Sequence, residues 1–229
     1  KYYKMQTISF EQVTHFFSTT PSWVALVLCL MFILSISAYV KIVTILAIIR
    51  VGFGTSSIPT ALITGILAFG LSFFVMYPVI QDSVSRVNIN NQKITEQDLN
   101  LLLEPWKNFV LSNVDQEMID KYSEIAFKVD AQYYNYELNE YPQFHEFHSN
   151  SWRVLVPAFL VSELSKAFAT GLLLFLPFLI IDLLIASLMS AMTIQGLSVQ
   201  AVSFPFKILL FVMVDGWTLL TGNMLLSFT

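Results

Sequence analysis

The chain has few charged side chains. Only 12% of its 229 residues are Asp, Glu, Lys or Arg, against about 25% in a typical soluble domain, and 55% are hydrophobic. Of the 28 charged residues, 18 lie between Asp82 and Arg153. Two long flanking segments are therefore almost uncharged, which excludes a protein with an ordinary water-soluble surface along its whole length.

Cysteine and histidine are also scarce. The one cysteine, Cys29, has no intrachain disulfide partner, and we interpret it as a small apolar side chain within an apolar run. His145 and His148 are close enough to share a metal ion, but two histidines alone make a weak site. We therefore predict no metal and no cofactor. The chain has no basic run that could neutralise phosphates, which excludes nucleic-acid partners.

Catalytic motifs are missing as well. The sequence has no Gly-x-Ser-x-Gly, no His-Glu-x-x-His and no phosphate-binding loop. A lone Gly-x-Gly occurs at residues 52–54, where it favours a tight turn after a helix. We predict that the chain is not an enzyme.

Long apolar runs organise the rest of the sequence. They predict an N-terminal segment, a first apolar helical hairpin, a polar insert and a second apolar helical hairpin, at residues 1–21, 22–80, 81–153 and 154–229. In the first hairpin, the runs 23–49 and 61–80 are each long enough to span a membrane, which takes roughly 20 residues. In the second hairpin we predict an approach helix at 154–168, a strongly apolar helix at 169–191 and a last apolar helix at 201–228.

The polar insert holds 12 acidic and 6 basic side chains. Apolar residues repeat in it at helical spacing, for example at Met118, Ile119 and Tyr122, which predicts two or three amphipathic helices. The turn at Arg50 is basic, so the positive-inside tendency places that turn in the cytoplasm and the insert outside. The predicted fold class is an all-α membrane protein, with two long helical hairpins separated by a polar, mostly helical extracytoplasmic insert.

A few charges lie within the apolar segments, where each costs about 2.5–3.5 kcal/mol at a helix centre unless it finds a partner or water. They are Lys41, Arg50, Glu163, Lys166, Asp182, Lys207 and Asp215. Glu163 and Lys166 share one helix face, and so do Lys207 and Asp215, which are about two turns apart. These charges could form a proton or ion relay. We favour ion pairs between helices and subunits, and we predict all but Lys41 as assembly ion pairs.

Several stretches, taken in order, are similar to one protein family. They are residues 45–50 (ILAIIR), 73–78 (FFVMYP), 156–168 (VPAFLVSELSKAF), 176–183 (LPFLIIDL) and 205–217 (PFKILLFVMVDGW). On these motifs the chain resembles the FliP/SctR family, the core of the type III secretion export gate of flagella and injectisomes. Each motif alone is modest, but their order, with a polar insert between them, is specific.

The resemblance implies a function and a set of partners. The chain would be a pore-forming subunit of the export gate in the bacterial inner membrane, in the basal body, through which unfolded substrates pass. Its partners would be further copies of itself, FliQ/SctS-like and FliR/SctT-like subunits, FlhB/SctU-like and FlhA/SctV-like export proteins, and membrane lipid. Helices of this family lie largely above the plane of the membrane. An ion-coupled membrane transporter subunit and a membrane scaffold without a pore are the alternatives.

One stretch departs from the family pattern. Members usually carry Gly-Met-Met-Met between the last two apolar helices, a gasket that narrows the pore. Here residues 193–196 read Thr-Ile-Gln-Gly, just after Met189 and Met192. Flexible methionines suit a seal around varied chains, and a ring of apolar side chains closes a pore by dewetting. The predicted constriction residues are Met189, Met192, Ile194, Gln195, Gly196 and Leu197.

Overall fold

The computed structural model describes residues 21–54, 58–87, 96–134, 150–194 and 196–228. These residues form eight α-helices and no strand, which confirms the all-α prediction. The helices are α1 (Ser22–Ser35), α2 (Tyr39–Gly52), α3 (Ile58–Arg86), α4 (Glu96–Asn113), α5 (Gln116–Tyr134), α6 (Trp152–Ala191), α7 (Val199–Met213) and α8 (Gly216–Leu226).

The first apolar run is not one helix. It breaks after Ser35, and α2 leaves α1 at an angle of 76°, so the predicted apolar run over 23–49 forms two helices rather than one continuous helix. Two serine hydroxyls lie at the break: Ser35 donates to the carbonyl of Phe32 at 2.7 Å and Ser37 donates to that of Leu34 at 2.9 Å. Such bonds from a side chain to the backbone compete with helix continuation.

The third apolar run, by contrast, is a single helix. α6 continues without interruption for 40 residues, so the predicted division into helices at 154–168 and 169–191 is wrong. The charges of Glu163 and Lys166 indicate a break in the sequence, but Lys41 of α2 and Asp115 of the insert pair with them, so the backbone needs no break there. At 1.5 Å per residue α6 is about 60 Å long, roughly twice the hydrocarbon thickness of a bilayer.

The last apolar run is divided too. A bend of 63° separates α7 from α8. Asp215 takes the left-handed conformation at the bend, with φ 49°. The next residue must be Gly216, because a Cβ there would lie 2.3 Å from the ring of Phe211. Asp215 therefore lies beyond the end of α7, and the prediction that it shares a helix face with Lys207 is wrong.

The centre of the fold is the contact between α2 and α6. The two helices run parallel, since Lys41 lies at Glu163, Ile48 at Gly171 and Gly52 at Phe178. A Cβ on Gly171 would come within 2.5 Å of Ile48 Cδ1, so glycine allows this close approach. The core around the contact is apolar and includes Ile42, Ile45, Leu46, Leu155 and Phe159.

The polar insert contributes α4 and α5, in agreement with the predicted amphipathic helices. Arg86 at the end of α3 pairs with Glu104 of α4 at 2.6 Å. Arg153 at the start of α6 pairs with Asp130 of α5 at 2.8 Å. The insert is thus held to both apolar hairpins. His145 and His148 lie outside the described residues.

Within the part of the chain that the structure describes, two helices are long and apolar enough to cross a membrane, at Ala61–Arg86 and Trp152–Ala191. The number rises to four if each bent pair, α1 with α2 and α7 with α8, forms one span. In the most apolar stretch of each of these two long helices, only 17% and 11% of the residues, respectively, are buried within the chain. Most of their surface is therefore free to face lipid or other subunits.

Candidate functional site

The loop between α6 and α7 presents apolar side chains to its surroundings. Met192 is 68% exposed, Ile194 40% and Leu197 61%. Two residues of the loop have positive φ, Thr193 at 54° and Gly196 at 95°. A non-glycine residue in this conformation is uncommon and marks a constrained turn. The described part of the loop thus exposes three apolar side chains.

Met189, another predicted constriction residue, is not exposed in this way. Met189 lies in the last turns of α6 and is only 8% exposed. A side chain already buried within its own chain is unavailable to line a channel, so Met189 does not join the exposed group. Gln195 lies outside the described residues.

At the same end of the molecule, a lysine joins three helices. Lys207 of α7 donates to Asp182 of α6 at 2.6 Å and to the carbonyl of Gly52, the last residue of α2, at 2.7 Å. Ser203, one turn before Lys207, donates to the other oxygen of Asp182. The lysine side chain is 1% exposed and the aspartate side chain 32%. The cluster therefore connects α2, α6 and α7 within one chain.

A second cluster lies nearer the polar insert. The carboxylate of Glu163, whose side chain is 2% exposed, lies 3.3 Å from Lys41 Nζ on α2 and 3.4 Å from Lys166 Nζ one turn along α6. The ammonium of Lys41 also lies 4.3 Å from the centre of the Phe228 ring, a cation–π distance. A buried carboxylate is thus placed between two ammonium groups, and the pairing connects α2, α6 and the end of the chain.

The turn between α4 and α5 docks on this cluster. Lys166 donates to the carbonyl of Asn113 at 2.7 Å and pairs with Asp115 at 3.3 Å. Ser162 donates to Asp115 at 2.8 Å. A continuous series of charges therefore runs from the surface of the insert at Asp115 to the buried Lys41.

The remaining two predicted assembly residues are placed apart from these clusters. Arg50 lies near the end of α2 and lines an apolar crevice between α2, α3, α7 and α8. Asp215 is exposed at the bend after α7 and forms no ion pair with any other described residue.

Comparison with known proteins decides the family. Residues 23–224 match the sequence profile of the FliP family. The chain belongs to the FliP family. Flagellar biosynthetic protein FliP of Agrobacterium fabrum is 32% identical over 200 residues, which cover 86% of this chain and 77% of that protein.

The relatives of this FliP family chain include a Yop translocation protein as well as flagellar proteins. Yop proteins translocation protein R of Yersinia pestis is 34% identical over 197 residues, 84% of this chain and 87% of the relative. Flagellar biosynthetic protein FliP of Cereibacter sphaeroides is 37% identical over 203 residues, 86% of this chain and 62% of the relative. Membership makes this chain a component of a type III export apparatus in the bacterial inner membrane.

Sequence reasoning missed part of the charge clusters in this FliP family chain. It named Lys41 without a partner, and it did not single out Asp115, Ser162 or Ser203. Ser203 carried a signal, because it precedes Lys207 by four residues and so lies on the same helix face. Asp115 lies in the polar insert, where a carboxylate is unremarkable.

Asp115 should make the docking of the insert sensitive to acid. The hydroxyl of Ser162, and next to it the ammonium of Lys166, hold the pKa of Asp115 below its ordinary value of 3.8. The folded-state pKa is depressed, so the stabilisation is present above about pH 4 and is lost as the pH falls through the folded pKa. We expect Asp115→Asn to lower stability by up to about 1 kcal/mol near neutral pH, because the side chain is largely exposed.

The measurement is thermal unfolding in detergent between about pH 3 and pH 7. The difference between the two proteins should shrink towards the acidic end of the range, as the carboxylate of Asp115 becomes protonated in the folded state too. The control is Glu117→Gln, which removes an exposed carboxylate from α5. The difference in stability between this variant and the wild type should be the same at every pH. A constant gap between wild type and Asp115→Asn at every pH would contradict the ion-pair explanation.

Proposed function

We propose that this chain is a core pore-forming subunit of the type III secretion export gate, through which unfolded protein substrates cross the bacterial inner membrane. The observation that carries the proposal is the loop between α6 and α7. It exposes Met192, Ile194 and Leu197 between two apolar helices. Repeated once per copy around an axis, these side chains would form an apolar ring that closes by dewetting.

The surface of the chain supports a role within an assembly. α6 exposes a long series of large apolar side chains, among them Leu172, Leu176, Ile180 and Leu184. With a length of about 60 Å the helix extends beyond the hydrocarbon of a bilayer, so lipid alone does not cover it. Further copies of this chain, together with FliQ/SctS-like and FliR/SctT-like subunits, would cover the rest.

The constriction is tested by truncating the exposed loop side chains. Replacing Met192, Ile194 and Leu197 together by alanine should leave assembly unchanged and raise ion leakage across the membrane several-fold, because a smaller apolar ring dewets less readily. Leakage is measured as dye or ion flux from liposomes containing the assembled complex.

The matched control is a triple alanine variant at exposed apolar positions of α7, Leu209, Val212 and Met213. It removes a similar amount of exposed apolar side chain away from the loop and should not raise leakage. Assembled complexes in which the loop variant leaks no more than the control would refute the constriction.

The orientation of the insert is a separate proposal. The start of α7 lies beside the turn that follows α2, since Gln200 lies 3.7 Å from the position of a Cβ on Gly54, whereas the insert contacts α6 at Ser162. The Arg50 turn and the insert therefore lie towards opposite ends of α6. The basic turn favours the cytoplasm, which supports a periplasmic position for α4 and α5.

Cysteine labelling tests this orientation. In a Cys29→Ala background, Lys121→Cys places a thiol on the exposed surface of α5. A membrane-impermeant maleimide added to cells with a permeabilised outer membrane should label it completely before lysis. A thiol that reacts only after the inner membrane is broken would reverse the proposed orientation.

A further inference from the structure

Helix α1 is apolar on every side and almost uncovered. Its 14 residues include no charged side chain, and Ala25 is the one that is buried. A helix that is hydrophobic all round is normally enclosed, yet the described residues of this chain do not enclose α1. Its exposed large apolar side chains are Trp23, Leu26, Val27, Leu28, Leu30, Met31, Phe32 and Ile33.

The position of α1 in the molecule is set by its last turn. Phe32 packs edge-on against Trp152, the first residue of α6, with ring centres 5.9 Å apart. The angle of 76° between α1 and α2 carries the other end of α1 about 20 Å to the side. Because the bend is less than 90°, α1 does not turn back towards the strongly apolar half of α6. It projects sideways, level with the start of α6.

Lipid does not suit α1 at this level. Arg153, the second residue of α6, pairs with Asp130 of α5 while remaining half exposed. Lys128 and Glu124 of α5 form an exposed ion pair close by. Exposed charges of this density are costly in hydrocarbon and belong in water. A helix in the headgroup layer needs a polar face, which α1 lacks, so its cover has to be protein.

An apolar row on α5 lies at the same level. Ile125 and Val129 are four residues apart on one face of the helix, and they are 45% and 51% exposed. The exposed ring of Tyr133 extends the row by one more turn. The ion pair between Asp130 and Arg153 places this part of α5 beside the start of α6. Each chain therefore presents an uncovered apolar helix and an uncovered apolar row at one height.

We propose that α1 is an arm that packs on the apolar row of α5 in a second copy of this chain. A large apolar side chain that is half exposed offers on the order of 100 Å². Eight of them approach the roughly 800 Å² that one partner buries in a standard interface. Because arm and row are different surfaces, the contact is heterologous and repeats from copy to copy in a ring or a helix. The inference rests on the proposed assembly of several copies and names a surface that joins them.

Cross-linking tests the contact, since the one cysteine of the chain lies in the arm. Cys29 is exposed on α1. Ile125→Cys and Val129→Cys each add a thiol to the apolar row. Asp120→Cys is the control, because Asp120 is exposed nine residues before Val129 and half a turn around the helix from it. A short bismaleimide should join the arm of one copy to the row of the next and give dimers and higher multiples, whereas Asp120→Cys should give none.

The same experiment separates the arm from its alternatives. Cross-links between copies of the unaltered chain would show that arms pair with each other, and a link within one copy, identified in its peptides by mass spectrometry, would show that α1 covers its own row. Either result overturns the proposal. Failure of both row cysteines in a detergent-extracted complex whose mass shows several copies also overturns the arm, but leaves the proposed function intact. A mass of one copy would contradict the proposed assembly itself.

A charge placed in the row gives a second readout. Val129 is exposed in the single chain, so Val129→Glu should leave the helical content measured by circular dichroism unchanged. It should weaken the association of copies roughly tenfold or more, because the contact would bury an unpaired carboxylate. Leu102→Glu, the same kind of change at an exposed position of α4 outside the row, should weaken it far less. Association is measured by native mass spectrometry on dilution, and equal weakening by the two variants would count against the row.

Discussion

Replacing Glu163 by glutamine should destabilise the chain by about 3–5 kcal/mol, the usual cost of removing one partner from a buried ion pair. Glu163 and Lys41 have side chains that are 2% and 5% exposed, 3.3 Å apart. Without the charge of the carboxylate, the ammonium of Lys41 stays inside the apolar core beside a neutral amide and the face of the Phe228 ring. Thermal or denaturant unfolding in detergent measures the loss.

Two further variants separate charge burial from loss of packing. Glu104→Gln breaks the exposed pair with Arg86 and should cost at most about 1 kcal/mol. The double variant Lys41→Met, Glu163→Gln removes both buried charges and should recover much of the stability, because no charge is then left unpaired in the core. If the double variant is as unstable as Glu163→Gln alone, the stranded ammonium is not the cause.

The sequence predicted the helices better than their ends. The apolar runs 61–80 and 169–191, each of 20 residues or more, lie within α3 and α6, which are both long and apolar enough to cross a membrane. The bend after Ser35 was missed because the signal there is local competition by serine hydroxyls for backbone carbonyls, with no proline or glycine between α1 and α2. The bend at Asp215 was missed although Gly216 follows it, because glycine within an apolar run is also common at close helix contacts.

The opposite error concerned α6. Charges at Glu163 and Lys166 suggested a boundary, since charged residues are costly within an apolar helix. The partners that remove this cost are Lys41 and Asp115, which lie far away in the sequence. Hydrophobicity and spacing do not reveal such pairings, because they depend on which helices meet in three dimensions. The division of α6 was therefore wrong although the charges themselves were correctly singled out.

The candidate site shows the same division between local and long-range information. The identity of the loop between α6 and α7, and the apolar character of Met192, Ile194 and Leu197, could be taken from the sequence. The burial of Met189 could not, since it depends on which face of α6 packs within the chain. The hydrogen bond from Lys207 to the carbonyl of Gly52 is equally invisible to sequence, because every residue has a backbone carbonyl.

The pair between Asp182 and Lys207 should respond asymmetrically to removal of its two members. Asp182→Leu leaves a lysine that is 1% exposed with the carbonyl of Gly52 as its remaining partner, and we expect a loss of about 3–5 kcal/mol. Lys207→Met leaves a carboxylate that is 32% exposed and still accepts a hydrogen bond from Ser203. Because water can reach that carboxylate, we expect a smaller loss of about 1–2 kcal/mol.

The same pair distinguishes a structural role from a proton relay. Lys207 bridges α2, α6 and α7 within one chain, so its loss should loosen the second hairpin and reduce assembly and export together. Asp182→Asn keeps the size of the side chain and one acceptor oxygen, which can face Lys207 while the amide NH2 donates to the hydroxyl of Ser203, and should retain partial assembly with export reduced in proportion. Assembly is measured as the mass of the detergent-extracted complex, and export as secreted substrate per assembled complex. A fully assembled Asp182→Asn complex that has lost proton-driven export would instead assign the carboxylate to proton transfer. Equal losses of stability in Asp182→Leu and Lys207→Met would refute the asymmetry between the two members of the pair.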